Sequence, residues 1–417
     1  MLSNLTTRQN VIFLVEVAMF LVTKIRIKQY LIQVISLGMW VFCESAFSGE
    51  ITTTISYVKL VKQQPPALSS LLKKPNDSGY FGAKLGINDS NTTGKFLQQR
   101  FELNYFKVTE KKQFLSKIVS EYQQGRRVFI LDAPIAQLEQ VNSWSENKKV
   151  LLFNISETAD ELRTKQCLAA IFHTIPSNAM TSDALAQYLL YRRMNKVLII
   201  SGKTHDDIQL VKSFERAAKR FGLTIISKKQ WDFDTDLRRS AQQEIPLFTQ
   251  TRQAYDVIYV ADKHKYFSEL LPFNTYLPRP VIGSAGLEAL AWHSVIEQWG
   301  ATQLQHRFTQ LANRAMNDVD FAGYLAIRSV AQSIHKLQEV EVDKLVKYLH
   351  SNAFELSAYK GRKLSFRAWN QQLRMPLALV HPHALVTQAP LPGMLHPVTE
   401  LDTLGYDKPE SQCKLSI

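Results

Sequence analysis

The residues in this chain that could do chemistry are scattered, and none falls into an assembled catalytic signature. His-Glu-x-x-His, Cys-x-x-Cys and Gly-x-Ser-x-Gly are absent, and Gly283-Ser-Ala-Gly286 lacks the spacing of a nucleophile elbow. His381-Pro-His383 offers two imidazoles, but a proline between them and no third His or Cys nearby make a surface turn a better reading than a metal centre. His205-Asp206-Asp207 sets an imidazole beside two carboxylates, which also suit a helix N-terminus, where negative charge is favoured. No Gly-x-Gly-x-x-Gly is present, and Gly202-Lys203-Thr204 lacks the glycine five residues earlier that a phosphate loop needs, Val197 standing there, so no nucleotide cofactor is expected.

What remains is the chemistry of recognition. In open α/β sheets a ligand binds outside the carboxyl ends of the strands, and this rule nominates residues without a motif. Asp132, Ala133, Asn154 and Ser156 stand at such ends in one set of strands. Gly202, Lys203, Thr204, Asp262 and Ser284 stand there in a second set, with His173 and Thr174 on the connector between the sets and Trp292 and His293 on the return. Each alone suits a cap, a turn or a satisfied core group; together they surround one cleft. Polar groups there would orient a solute, and Trp292 and Tyr57 would supply an apolar wall.

The elements that must hold these residues are legible from periodicity. Strands at Ile51 to Leu60, Phe101 to Val108, Arg127 to Leu131 and Lys149 to Phe153 alternate with helices at Gln113 to Tyr122 and Gln137 to Trp144. Continuous apolar strands alternating with helices indicate a parallel sheet covered on both faces. A helix beginning near Asp77-Ser78 carries Gly79, Gly82, Ala83 and Gly86, small residues expected to let it lie close on a sheet, and Asp89-Ser-Asn-Thr-Thr-Gly94 reads as a polar turn. Pro176 biases Ile175 towards an extended conformation, so Phe172 to Ile175 is expected to run straight into a helix capped by Ser177. This is the first crossing between two lobes.

The pattern then resumes. Lys196 to Gly202, Leu223 to Ser227, Asp256 to Ala261 and Pro280 to Gly283 read as strands, with a helix marked by Ile208, Val211, Phe214, Ala218 and Phe221. Ser284 to Trp292 is expected to cross back to the first lobe. Helices follow around Leu304 to Ala315, from Asn317-Asp318 to Leu337, and at Asp343 to Leu349. Lys363 to Trp369, Pro376 to Val380 and Ala384 to Ala389 read as strands.

A chain of 417 residues, 45% hydrophobic, can bury more than one core. Its formal charge of +13 is spread among acidic neighbours, with short pairs such as Lys111-Lys112 and Arg192-Arg193, so nucleic acid is not an expected partner. Lys24, Arg26 and Lys28 precede the apolar run Tyr30 to Cys43, and Ala46-Phe47-Ser48 places small residues for cleavage before Gly49. Residues 1-48 are therefore expected to be an export signal, with Met19 a candidate start, and the run is too short to span a membrane comfortably. Cys167 and Cys413 remain after cleavage. Joined, they would be worth on the order of 4 to 5 kcal/mol in the chain-entropy model; two buried free thiols are the other reading.

Phe172-His-Thr-Ile-Pro-Ser-Asn-Ala-Met-Thr-Ser-Asp-Ala-Leu-Ala-Gln-Tyr188, Asp89-Ser-Asn-Thr-Thr-Gly-Lys-Phe96, Glu297-Gln-Trp-Gly-Ala-Thr-Gln-Leu-Gln305, Phe354-Glu-Leu-Ser-Ala-Tyr-Lys-Gly361 and Glu400-Leu-Asp-Thr-Leu-Gly-Tyr-Asp-Lys-Pro-Glu410 share one resemblance. With them the chain resembles ABC-transporter substrate-binding proteins associated with PQQ-dependent alcohol catabolism, over nearly the whole mature length. The resemblance implies an α/β type I periplasmic binding protein fold, similar to branched-chain amino-acid binding proteins, with two Rossmann-like three-layer lobes joined by three hinge crossings. The expected layout is 49-172 plus 287-352 for the first lobe, 177-283 plus 356-389 for the second, and an irregular extension at 390-417.

It further implies a periplasmic monomer that is not an enzyme, with a small-molecule solute and an ABC permease of the inner membrane as partners. Amino-acid binders hold their ligand with hydroxyls and a carboxylate at strand ends, and Asp132-Ala-Pro134 and Asn154-Ile-Ser156 do not match them. The ligand is thus expected among alcohol-related metabolites, organic acids or cofactor-related compounds. The alternative is a periplasmic sensor or accessory protein for a PQQ-dependent dehydrogenase, which the long C-terminal extension would suit. A two-lobed Rossmann-like enzyme is disfavoured by the missing cofactor fingerprints and by export.

Overall fold

The computed structural model describes residues 19, 24, 50–61, 75–232, 237–413 and 415. The chain divides into Met1–Glu50 and Ile51–Ile417, and of the first only Met19, Lys24 and Glu50 are described. Apart from Met19 and Lys24, the expected leader and its cleavage point therefore lie outside the described residues, among which no helix is long and apolar enough to cross a membrane.

Ile51–Ile417 begins with a sheet built from β1 (Ile51–Leu60), α1 (Tyr80–Leu97), β2 (Gln99–Val108), α2 (Lys111–Gln123), β3 (Val128–Asp132), α3 (Ile135–Ser145), β4 (Leu151–Asn154), a single turn α4 (Glu161–Thr164) and β5 (Ile171–His173). Its order is β2-β1-β3-β4-β5, all parallel. The strand period of two divides β3 cleanly: Phe129 and Leu131 enter the core shared with Phe114, Ile118, Leu138 and Val141 of α2 and α3. Val128 and Ile130 enter the core on the opposite face. Both faces are covered, so β3 and β4 are buried at every residue and read as unbroken apolar runs.

Ser177 caps α5 (Asn178–Tyr191), its side chain accepting from Met180 N. Then β6 (Lys196–Ser201), α6 (His205–Arg220), β7 (Thr224–Gln230), α7 (Leu237–Thr249), β8 (Val257–Ala261) and β9 (Val281–Gly283) form a second parallel sheet in the order β7-β6-β8-β9. The return is not a plain crossing: Glu288–Leu290 is a strand, β10. Helices α8 (Ala301–Ala312) and α9 (Asp318–Leu337) pack against α1, and α10 (Val342–His350) packs on α9. Asn317 and Asp320 close a capping box at the start of α9.

Two small antiparallel sheets complete the fold. One contains β11 (Leu356–Ser357), β12 (Lys363–Phe366) and β13 (Leu373–Arg374), with β11 and β12 touching α9 and α10; the other contains β10, β14 (Leu377–His381) and β15 (Ala384–Ala389), resting on α5. Just before β13, Gln372 forms a parallel bridge with His173, so the outgoing and returning chains lie side by side. Beyond β15 the chain runs through short turns at Glu400–Thr403 and Lys408–Glu410, and Cys413 is disulfide-bonded to Cys167 with Cα atoms 5.4 Å apart.

Two local expectations give way. Asp89 to Gly94 is not a turn but the second half of α1. Its polar groups find partners that a helix allows: Ser90 Oγ and Thr92 Oγ1 donate to the carbonyls four residues back, and Asn91 pairs with both the N–H and C=O of Phe101. The small residues of α1 face another helix rather than the sheet, since a Cβ on Gly82 would overlap the Asp320 carbonyl and one on Gly86 would lie 2.9 Å from Ile327 Cβ. Helix α7 went unread because Pro246 masks the helical return of Ala241, Ile245 and Phe248.

Candidate ligand-binding cleft

Strand order reverses between β1 and β3 in the first sheet and between β6 and β8 in the second, the places where open sheets leave a crevice at their carboxyl ends. The two sheets meet there. Lys263, just past β8, donates from Nζ to Thr158 Oγ1, past β4, at 3.0 Å. Lys263 is aimed by its own backbone, whose N–H donates to Asp207 Oδ1 at 2.7 Å. Asp207 in turn closes the capping box of α6 with Thr204, so that carboxylate belongs to a helix terminus. Asp206 lies 3.7 Å from His264 Nε2.

In the first sheet, Asp132 accepts from Lys59 Nζ at 2.9 Å and from the Tyr57 hydroxyl at 3.2 Å, with Ala133 fully buried beside it. Asn154 folds the loop after β4: its Oδ1 accepts from the N–H groups of Ser156 and Glu157, and its Nδ2 donates to Glu157 O and His173 Nδ1. Ser156 Oγ is buried and has no hydrogen-bond partner among the described residues. In the second sheet, Asp262 is fully buried and accepts from the N–H groups of Tyr266, Phe267 and Ser268, while Ser284 Oγ accepts from Asp262 N. Lys203 pairs with Asp232 on the exposed rim.

The residues on the crossings turn inward. His173 and Thr174 are fully buried, and Thr174 Oγ1 donates to Ala322 O at 2.9 Å. Trp292 is also interior, its indole N–H donating to Gln305 at 3.0 Å and its ring tilted against Phe321. Tyr57 is fully buried as well. Thr174, Trp292 and Tyr57 are thus interior residues, each with apolar surface that a core accepts and a polar atom that finds a partner there.

Sequence reasoning passed over Lys263 and Thr158, although they adjoin the nominated Asp262 and Ser156. It also took Asp318 only as a helix start. Asp318 Oδ1 accepts from Trp292 N at 2.8 Å, and burial pushes its carboxyl up to about 6 despite that N–H and the Lys360 ammonium. Lys360 is fully enclosed, its Nζ donating to Ala291 O, and burial pushes it down to about 8.

Burial also holds His173 and His350 neutral. It drives His173 well below the ordinary imidazole range, with the Arg163 charge adding to the effect, and it pushes His350 down to about 4. Among the described residues neither ring nitrogen of His350 has a partner, and its ring lies 4.9 Å from that of Phe172. Between about pH 6.5 and 4 the unfolded chain binds a proton at this position and the folded chain does not, so stability is lost as pH falls through that window. His350→Phe is expected to remove this loss, giving at pH 5 about 1 kcal/mol of added stability after discounting for partial exposure. Melting curves at pH 7 and 5 check it; a difference between variant and wild type that does not widen at pH 5 refutes it.

Two parallel sheets flanked by helices, with their carboxyl ends opposed, make this a type I periplasmic binding protein fold. Residues 83–341 match the family described as "Receptor family ligand binding region", and the chain belongs to that family. A branched-chain amino-acid ABC transporter periplasmic ligand-binding protein from Burkholderia xenovorans superposes with a TM-score of 0.69 at 13% identity, covering 87% of this chain and 99% of its own. The leucine-, isoleucine-, valine-, threonine- and alanine-binding protein from Brucella ovis, in its closed conformation, gives 0.63 at 12% identity over 79% and 89%. An ABC-transporter solute-binding protein from R. palustris, in complex with benzoate, gives 0.57 at 12% identity over 79% and 92%. No curated protein sequence matches the chain. These structural neighbours are solute-binding proteins.

Proposed function

We propose that this chain is the periplasmic solute-binding component of an ABC importer, closing two lobes on a small metabolite linked to alcohol catabolism and presenting the closed form to a membrane permease. In this reading the first lobe holds the β1 to β5 sheet with α8 to α10 and β11 to β12. The second lobe holds the β6 to β9 sheet with α5 and the β10, β14 and β15 sheet. These limits follow packing, and they move residues 288–290 and 356–366 across the boundary expected from sequence.

The observation that carries the proposal is the contact of Lys263 with Thr158, since it joins the carboxyl end of one sheet to that of the other. Only a ligand that touches both lobes favours the closed state over the open one. Ser156 Oγ, buried without a partner two residues from Thr158, is a hydroxyl that such a solute would satisfy. At Leu391, Asp402 and Gly405 the tail is bonded to this chain's own helices and loops, while Leu395 and Val398 stand exposed.

A thermal-shift screen of short alcohols, aldehydes, organic acids, amino acids and PQQ tests the reading, because a compound that binds only the folded state raises the melting temperature. Lys263→Ala is expected to weaken binding of the compound found by about 10- to 100-fold, the worth of one hydrogen bond to a charged group. The unliganded melting temperature should stay the same. Solution scattering supplies the decisive check: a saturating compound that leaves the radius of gyration unchanged argues against closure.

A further inference from the structure

Resting on the reading of two closing lobes, we propose that the C-terminal segment 399–413 is a strap that limits how far the lobes part. The segment is fastened to both. On the second lobe, Gly405 N donates to Asp183 of α5, and the Gly405 carbonyl accepts from Arg216 and Arg220 of α6, each at 3.0 Å. Arg216 and Arg220 also pair with the fully buried Asp183, Arg216 reaches Glu410 at 2.8 Å, and its guanidinium lies over the Tyr406 ring. Asp402 accepts from Arg367, between β12 and β13, and from Arg374 of β13 at 2.7 and 2.8 Å.

The other end belongs to the first lobe. Ser411 Oγ donates to Arg163 O, Gln412 N donates to Thr164 O, and Cys413 is bonded to Cys167, all within the loop that joins β4 to β5. Hydrogen bonds of this kind exchange readily with water and would peel away as the lobes separate. The disulfide would not. The chain from Gly405 to Cys413 is fastened at both ends, and eight residues reach at most about 28 Å when fully extended. Its slack is the length released when the turn at Lys408–Glu410 unwinds.

The test needs no ligand. A fluorescent donor and acceptor are placed by azide chemistry at exposed Thr109, beyond β2, and Gln230, at the end of β7, in the full-length protein. Single-molecule distance distributions are recorded for wild type, for Cys413→Ser, and for a variant with six Gly/Ser residues inserted after Glu410 and the disulfide intact. A shift of both variants to longer, broader distances than wild type is the expected result. One broad distribution shared by all three overturns the strap and leaves lobe motion standing. One narrow distribution shared by all three overturns both. A shift in Cys413→Ser alone also overturns the strap, because the bond would then act by steadying its loop rather than by limiting length.

Discussion

Arg163→Met is expected to destabilise the folded chain by about 3 kcal/mol, visible as a lowered urea midpoint at unchanged slope. The guanidinium is almost wholly buried and donates to the Gln372 side chain at 3.0 Å and to the carbonyls of Ala159 and Glu157 at 2.9 Å each. Burial pushes it down to about 10, against the pull of Asp160 and Glu157, so it stays charged at neutral pH. A methionine fills part of the space but leaves several buried acceptors without donors, at a cost of about 1–3 kcal/mol for each that water cannot reach. Relief from burying a charge offsets part of that. Arg163→Lys should recover less than half of the loss, because one ammonium cannot reproduce a planar fork. A loss below about 1 kcal/mol for the methionine variant would show that the hub is solvated.

Gly82→Ala should be nearly as damaging, at about 3 kcal/mol, for the opposite reason: an added atom rather than a lost bond. The new Cβ would overlap the Asp320 carbonyl and stand 2.8 Å from Asp320 Cα. Backbone cannot rotate out of the way, so α1 and α9 must separate. Separation weakens the bond from Gly79 N to Asp320 Oδ1, 2.7 Å, and disturbs the carboxylate that Arg314 holds at 2.6 Å. Gly86→Ala is the milder case, since its Cβ would stand 2.9 Å from Ile327 Cβ and 3.2 Å from the Tyr324 carbonyl instead of overlapping backbone, and about 1–2 kcal/mol is expected. Equal losses in the two variants would mean that the helices tolerate separation.

The scaffold was legible wherever a local rule had no competitor. Buried parallel strands announce themselves as apolar runs, Ser177 and Asn317 sit one residue before the helices they cap, and Pro176 marks the entry to α5. Legibility failed where a distant partner overrides local preference. Asp89 to Gly94 looks like a turn because five polar residues followed by a glycine usually are one; across the fold, Asp89 meets Arg307 and Tyr324, and Asn91 meets β2. Strand-end counting locates backbone termini and says nothing of which way a side chain turns. Thr174 and Trp292 turn inward to Ala322 O and Gln305, while the unnominated Lys263 and Thr158 meet.

The pairing of His173 with Gln372 has a kinematic consequence. His173 N donates to Gln371 O, and the Gln372 amide donates to the carbonyls of His173 and Ile175, so two of the passages between sheets are stitched into one ribbon. Two separate threads would let the halves bend, twist and slide independently. A hydrogen-bonded ribbon bends easily across its flat face but resists twist and shear, which leaves a door on a pin rather than a ball in a socket. In the proposed closing of the lobes, fewer directions of wandering mean less disorder to surrender on shutting, and every shut molecule would offer the same outline to a partner.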